Sequence, residues 1–228
     1  MHEYKQDQKS GLWCPNDRTA TKMIKEAYWL SEWGGTPCIV DLKDKVVMDC
    51  GSHIGSFSAR AIADGAKEIH AYEPVKWQLV ATKRNLDVPH ATVYEAALST
   101  ENGEASFFLR DDNGCSSSLE ARHAGITKRF NYHEVKVKTL DFWQEIERIQ
   151  PDVVKMDVEG AEWSVLTRPL PDCVKAFFFE LHLKKSVGRT EETGIKLLED
   201  AFPGAKLIQR KDCVVYGKVL NITGVYTR

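Results

Sequence analysis

Short apolar runs alternate with segments of helical periodicity in this 228-residue chain, and that alternation restricts the fold more than any other feature. The runs predict strands at 46–50, 68–72 and 91–95, with helices between them at about 55–64 and 74–87. Parallel strands joined by helices need crossovers of one hand, and these place helices on both faces of the sheet. We therefore expect an α/β, doubly wound, mainly parallel Rossmann-like sheet that binds its ligand beyond the carboxyl ends of the strands.

The alternation is interrupted in the middle of the chain and then resumes. Residues 104–112 and 133–143 are predicted strands separated by a polar loop, and the second leads into a helix. The remaining predicted elements are strands at 152–157 and 175–183, helices from Gly160 and at 191–201, and two closing strands at 205–210 and 213–219, one of them antiparallel. We therefore expect one domain over 45–228, interrupted by an insertion at about 104–138.

Residues 1–44 precede the expected domain as a short helical extension. Their periodicity predicts a helix at 19–33 that ends at Gly34-Gly35. Four aromatic residues of this extension could cover a substrate as a lid, or they could belong to a helix that packs against the sheet, and both roles stay open. These residues are Trp13, Tyr28, Trp29 and Trp33.

The composition restricts the partners and the location. The chain has 31 basic and 33 acidic residues, a formal net charge of −2, and no strongly basic tract, so a nucleic-acid partner is not favoured. Its six cysteines are scattered without a Cys-x-x-Cys pair, which is typical of reduced thiols in the cytoplasm. The N-terminus is polar, and no apolar run approaches the about 20 residues that cross a bilayer, so we expect no membrane partner.

The stretch "VVMDCGSHIGSFS" indicates a cofactor loop after the first strand of the domain. Gly51 and Gly55 let a ligand approach the backbone, and Ser52 and His53 lie between them. Asp49 opposes the binding of a pyrophosphate but suits S-adenosylmethionine, which carries an ammonium and a sulfonium and no phosphate. The alternative is a structural turn with a capping acid.

Two further segments are placed to complete a nucleoside site. Glu73 lies 22 residues beyond Gly51, after the second strand, where an acid accepts hydrogen bonds from a ribose diol. Pro74 follows it at the start of a helix, and Ala96 and Ala97 leave room for a flat adenine after the third strand. A surface acid that favours the helix dipole is the alternative for Glu73.

The stretch "VVKMDVEGAEW" carries a family resemblance. Lys155, Asp157 and Glu159 share one face at the end of a predicted strand. The stretch resembles the K-x-D-V-E-G-x-E signature of the FkbM-type methyltransferase family. Further segments resemble that family's other motifs, in the family's order over roughly residues 45–185: "DCGSHIGSFS", "AYEP", "AALSTENGEASFF", "SSSL", "VKVKTLDFW" and "FFFELH".

The resemblance implies an S-adenosylmethionine-dependent methyltransferase, commonly one that methylates oxygen in secondary metabolism or sugar modification. Some members of the family methylate nitrogen. A small-molecule, sugar or peptide acceptor is therefore expected, and the resemblance of these motifs implies that Asp49, Asp157 and their neighbours bind the cofactor. The sequence indicates neither the acceptor atom nor the oligomeric state.

Asp157, Glu180 and His182 are the candidate catalytic residues because they follow two strands that are expected to be neighbours. His182 or Asp157 could act as the base that accepts the acceptor's proton, with Glu180 orienting the site. A structural ion-pair network that includes Lys155 is one alternative. A divalent metal ion at Asp157 and Glu180 is another, and it is not favoured.

Two other function classes stay open. Lys155, Asp157, Lys184 and Lys185 faintly resemble the lysine–acid sets of ribose methyltransferases, which makes a nucleic-acid methyltransferase the second candidate. A cofactor-binding module without catalytic activity is the third.

Overall fold

The computed structural model describes residues 3–16, 24, 39–110, 117–119, 132–215 and 218–228. Its strands are β1 Tyr4–Gln6, β2 Trp13–Pro15, β3 Val46–Cys50, β4 Glu68–Tyr72, β5 Ala91–Tyr94, β6 Ala97–Ser99, β7 Gly103–Arg110, β8 Tyr132–Asp141, β9 Val153–Met156, β10 Ala176–His182, β11 Lys206–Val215 and β12 Lys218–Thr227. Its α-helices are α1 Ser56–Ala63, α2 Lys76–Asn85, α3 Phe142–Ile149, α4 Glu162–Val165 and α5 Glu191–Ala201, with a 3-10 turn at Lys185–Val187.

Seven strands form the central sheet in the order β11-β12-β10-β9-β3-β4-β5. The five strands from β10 to β5 run parallel, and β12 pairs with β10 in the antiparallel direction, from Ala176 opposite Thr227 to His182 opposite Asn221. This arrangement confirms the predicted doubly wound sheet with an antiparallel closing strand. The predicted position of that strand at 213–219 is wrong, because β11 extends to Val215 and the closing strand β12 spans Lys218–Thr227.

The sheet is buried on both faces, which explains why its parallel strands read as nearly continuous apolar runs. Successive residues of a strand point to opposite faces. Val47 and Phe178 accordingly pack in one core cluster, and their neighbours Met48 and Phe177 pack in the other. The local pattern and the tertiary packing therefore agree along β3 and β10.

The strand order reverses at β3, which has β4 on one side and β9 on the other. In such sheets the ligand crevice opens at this reversal, beyond the carboxyl ends of the strands. The register pairs Cys50 with Met156, so the loop after β3 and the loop after β9 start side by side. The fold thus brings the predicted cofactor loop to the predicted catalytic segment.

The middle of the chain forms a second sheet with the order β6-β8-β7. The predicted strand at 133–143 ends earlier, at Asp141, because the Asp141 side chain accepts hydrogen bonds from the backbone N–H groups of Trp143 and Gln144 and caps α3. This capping acid marks the boundary that the alternation alone did not show.

The N-terminal segment contains an element that the sequence analysis did not predict. β1 and β2 pair as an antiparallel hairpin, with Lys5 opposite Cys14. The predicted helix at 19–33 lies outside the described residues except for Ile24, which is buried. The candidate lid residues Tyr28, Trp29 and Trp33 also lie outside them. Of the helices in the described ranges, none has the length and apolar character that a bilayer crossing requires.

Candidate active site

The loop after β3 has the left-handed turns that its glycines predict. Gly51 and Gly55 have φ angles of +79° and +76°, and His53 between them has +54°. A Cβ atom at Gly51 would lie 1.9 Å from the backbone oxygen of Asp157. Gly51 is therefore required for the close approach of the two loops, whether or not a ligand is bound.

Asp49 lies beneath this loop and is fully buried. Its Oδ2 accepts a hydrogen bond of 2.6 Å from the Ser58 hydroxyl, and its Oδ1 lies 3.4 Å from Nζ of Lys155. The ammonium of Lys155 thus offsets the attraction that the sequence predicts between Asp49 and a cationic cofactor. Asp49 stabilises the loop through its contacts with Ser58 and Lys155, and its direct contact with a cofactor stays a prediction.

Lys155 joins the cofactor loop to the catalytic segment. Its Nζ donates a 2.6 Å hydrogen bond to the backbone oxygen of Gly51 and lies 3.8 Å from Oδ2 of Asp157. Burial works against the charged form of Lys155, but the carboxylates of Asp49 and Asp157 outweigh it and raise the pKa of the lysine. Lys155 therefore stays charged, and its ion pairs are with the two aspartates of the sequence pattern.

Glu73 connects β4 to the same loop. Its two carboxylate oxygens accept 2.8 Å hydrogen bonds from the backbone N–H groups of His53 and Val75. Burial raises the pKa of Glu73 to about 8. A buried acid at this position can exchange hydrogen bonds with a ribose, as the spacing from Gly51 predicts.

The other predicted cofactor residues lie around this crevice. Pro74 is half-buried beside Glu73, and Ala96 and Ala97 are buried after β5. Burial lowers the pKa of His53 to about 4, so its imidazole is neutral.

Two hydroxyl groups of the loop have no hydrogen-bond partner within the described part of the chain, although both are buried. They are the Oγ atoms of Ser52 and Ser56. A buried polar group without a partner is costly, so these hydroxyls are candidates for hydrogen bonds with a water molecule or a ligand. Ser56 was missed from the sequence, where its position at the start of α1, directly after Gly55, was the available signal.

The ends of β9 and β10 bring together all three predicted catalytic residues. A ligand atom from each of Asp157, Glu180 and His182 lies within 4.8 Å of the others. Burial raises the pKa of Asp157 to about 6, against the opposing effect of Lys155. Its Oδ1 is inaccessible to solvent and has no hydrogen-bond partner among the described residues. Glu180 accepts a hydrogen bond from the Asn221 amide.

His182 is held between carboxylates at both ring nitrogens. Its Nε2 lies 3.1 Å from Oε2 of Glu159 and 3.6 Å from Oε1 of Glu180, and its Nδ1 lies 3.3 Å from Oε1 of Glu162. Burial disfavours the charged imidazolium, but Glu159 and Glu162 outweigh it and hold the pKa of His182 well above its ordinary value. His182 is therefore protonated and a poor proton acceptor.

Glu162 is a site residue that the sequence analysis did not select. Its side chain is buried, and Oε1 accepts hydrogen bonds from the backbone N–H groups of Val158 and Gly160 as well as facing His182. The final acid of the K-x-D-V-E-G-x-E pattern was the signal for it. Glu162 orients both the loop after β9 and the imidazole.

Asp157, Glu180 and His182 are also the residues that could hold a divalent cation. Two carboxylates and one imidazole suit a borderline metal ion. The ion would compete with Glu159 for Nε2 of His182, because that carboxylate is already 3.1 Å away.

A comparison with protein families decides the classification. A model described as the methyltransferase FkbM domain matches residues 49–190, which is more than half of the chain. The chain belongs to the FkbM methyltransferase family. The matched range contains both loops of the crevice, and the family membership confirms the resemblance read from the sequence. Curated proteins gave no significant match.

Solved structures share the fold at low sequence identity. TYW2 of M. jannaschii, solved in complex with AdoMet, has a TM-score of 0.51 and 11% identity, over 100% of this chain and 88% of that one. Trm5b of Pyrococcus abyssi has a TM-score of 0.51 and 10% identity, over 98% of this chain and 55% of that one. Methyltransferase FkbM of Methylobacillus flagellatus has a TM-score of 0.49 and 15% identity, over 90% of this chain and 48% of that one. This chain thus spans about half the length of the last two.

Proposed function

We propose that this protein transfers a methyl group from S-adenosylmethionine to a hydroxyl of a small-molecule, sugar or peptide acceptor. The observation that carries the proposal is the position of the Asp157 carboxylate beside the cofactor loop in a chain of this family, since Lys155 donates to the Gly51 backbone oxygen and lies 3.8 Å from Oδ2 of Asp157. That arrangement sets a carboxylate beside the crevice in which a methyl donor of this family would lie.

The residues of the loop would bind and orient the donor, which supplies a methyl group already activated by a sulfonium. Glu73 would accept hydrogen bonds from the ribose, and the unpartnered hydroxyls of Ser52 and Ser56 would bond to the donor's polar groups. Methyl transfer is an in-line displacement, so alignment and the exclusion of water supply most of the acceleration.

Asp157 is the base that we propose, in preference to His182. The acceptor oxygen forms a bond to the methyl carbon, the carbon–sulfur bond breaks to give S-adenosylhomocysteine, and the hydroxyl proton passes to the Asp157 carboxylate. The Asp157 side chain is 26% exposed. His182 already carries its proton between Glu159 and Glu162, so it would act as a cation that orients the acceptor and Glu180.

The test separates donor binding from turnover. Wild-type protein should bind S-adenosylhomocysteine in a calorimeter and then methylate members of a panel of hydroxyl and amine acceptors. Asp157→Asn should lower kcat by about 10²- to 10⁴-fold, the range for a general base, with a much smaller change in donor affinity. Equal turnover of Asp157→Asn and the wild type would exclude Asp157 as the base.

A nucleic-acid methyltransferase is the alternative that the acceptor panel must include. The net charge of −2 speaks against it because a phosphate backbone requires a basic surface. Tight RNA binding that weakens steeply with salt would overturn the small-molecule assignment. Donor binding without any acceptor would instead support a non-catalytic module. The cytoplasmic location and the role in secondary metabolism stay predictions from the sequence.

A further inference from the structure

An asparagine side chain at the end of α2 joins the N-terminal hairpin of β1 and β2 to the loop after β3. Oδ1 of Asn85 accepts a 2.7 Å hydrogen bond from the backbone N–H of Trp13, and Nδ2 of Asn85 donates a 2.8 Å hydrogen bond to the backbone oxygen of Trp13. The same Nδ2 donates a 2.7 Å hydrogen bond to the backbone oxygen of Ile54. Asn85 therefore uses its carbonyl and both amide hydrogens to join the hairpin to the cofactor loop.

Two side chains of α2 donate hydrogen bonds to successive residues of the loop after β3. Asn85 bonds to the backbone oxygen of Ile54, and the Thr82 hydroxyl donates to the backbone oxygen of His53. His53 is a non-glycine residue with φ +54°. A residue other than glycine keeps such a conformation only where surrounding contacts enforce it. Thr82 and Asn85 are contacts of this kind, so the loop's shape depends on them.

Further contacts attach the hairpin to α2 and restrict the position of the Asn85 side chain. Leu12 and Cys14 are buried. The Tyr4 hydroxyl donates a 2.5 Å hydrogen bond to the Trp77 backbone oxygen. The guanidinium carbon of Arg84 lies 5.3 Å from the ring centre of Tyr4 and 4.9 Å from that of Trp13. The hairpin lies outside the residues 49–190 that the family model matches.

We infer that Asn85 is a positioning residue for the cofactor site, through which the docked N-terminal hairpin holds the loop after β3 in its binding conformation. The hairpin completes the site without touching the ligand. The inference rests on the proposed function only for the identity of the ligand.

Titration of the full chain with S-adenosylhomocysteine tests the inference. The dissociation constant reports the affinity of the folded protein, and the stoichiometry reports the fraction of the protein that is folded. Asn85→Ala should weaken binding by about tenfold, as expected when one buried hydrogen bond of about 1.4 kcal/mol no longer shapes the site. The stoichiometry should stay at one. A merely structural role would instead lower the stoichiometry and leave the dissociation constant unchanged, and that result would overturn the inference. Asn102→Ala is the control, because the Asn102 amide also accepts one hydrogen bond from a backbone N–H and donates another, but it lies in the exposed turn between β6 and β7.

A second variant keeps the test decisive if Asn85→Ala does not fold. Arg84→Met removes the charge that lies over Tyr4 and Trp13 and leaves Asn85 in place. It should increase the rate at which a thiol reagent labels Cys14, a buried residue of β2 in the docked hairpin, as measured by peptide mass spectrometry. The dissociation constant should rise together with the labelling rate. Faster labelling with unchanged affinity would show that the hairpin does not act on the site, whereas absence of binding by the wild type would overturn the proposed function itself.

Discussion

Replacing Lys155 with methionine is the substitution whose effect the structure specifies most fully. Lys155 is 5% exposed and pairs with Asp49, which is fully buried, at 3.4 Å. It also donates to the Gly51 backbone oxygen and neighbours Asp157. Methionine fills a similar volume but provides no charge and no donor. The carboxylate of Asp49 would then keep only its hydrogen bond from Ser58.

The expected loss of stability is large because a buried charge is left without its partner. Breaking a buried ion pair by removing one member destabilises a protein by about 3–5 kcal/mol. For a domain of about 150–250 residues each kcal/mol lowers the melting temperature by about 2–4 °C, so the total fall should be about 6–20 °C.

Chemical and thermal denaturation of the wild type and three variants would measure this effect. Lys155→Met should show the full loss, and adding Asp49→Asn should recover part of it, because the double variant no longer contains an uncompensated carboxylate. Lys196→Met is the matched control, since Lys196 pairs with Asp200 on the surface and should contribute less than about 1 kcal/mol. If Lys155→Met proved as stable as Lys196→Met, the assigned ion pair beneath the loop would be wrong.

Three further predictions follow from the same crevice. Gly51→Ala should destabilise the protein by more than about 4 kcal/mol in denaturant titrations, because the new Cβ meets the Asp157 backbone oxygen at 1.9 Å. Gly204 is the control, since it has a φ of +73° and a Cβ there would meet nothing within 4 Å, so Gly204→Ala should destabilise by only about 1–2 kcal/mol. Equal losses of stability in the two variants would contradict the clash at Gly51. The affinity for S-adenosylhomocysteine should rise with pH up to the Glu73 pKa of about 8 and then level off, since the ionised carboxylate is the better acceptor for ribose hydroxyls, and Glu73→Gln should abolish this dependence in calorimetry across that pH range. Methyl transfer should continue in excess chelator, whereas its loss and its recovery on adding Mg²⁺ or Mn²⁺ would assign a metal ion to Asp157 and Glu180.

The central sheet could be predicted from sequence because local and tertiary preferences agree there. β3 and β4 are short apolar runs followed by helical periodicity, and both lie in the seven-stranded sheet as expected. The positions of Asp157, Glu180 and His182 were predictable for the same reason, since the end of a strand in a parallel sheet defines a place in space.

The N-terminal hairpin could not be predicted in this way. Each of its strands has three residues, too few for a period-two pattern to show. Its stability comes from contacts distant in sequence, such as the bonds between Trp13 and Asn85. The hairpin therefore depends on tertiary contacts, which a short stretch of sequence does not reveal.

The partners of the charged residues were also beyond the sequence. Strand alternation placed Lys155 and Asp157 on one face but did not show that Lys155 reaches across to Asp49. Glu162 appeared as one acid among several, and only the folded loop after β9 shows its bonds to Val158, Gly160 and His182. Charge pairing depends on distances between neighbouring strands, which a linear pattern does not supply.

Titration of the wild-type protein with S-adenosylhomocysteine and with NAD in the same calorimeter tests the central claim most directly. The crevice at the ends of β3 and β9 should bind S-adenosylhomocysteine at one site per chain, and Glu73→Gln should weaken that binding. No detectable heat with NAD is expected. Saturable binding of NAD without binding of S-adenosylhomocysteine would contradict the account.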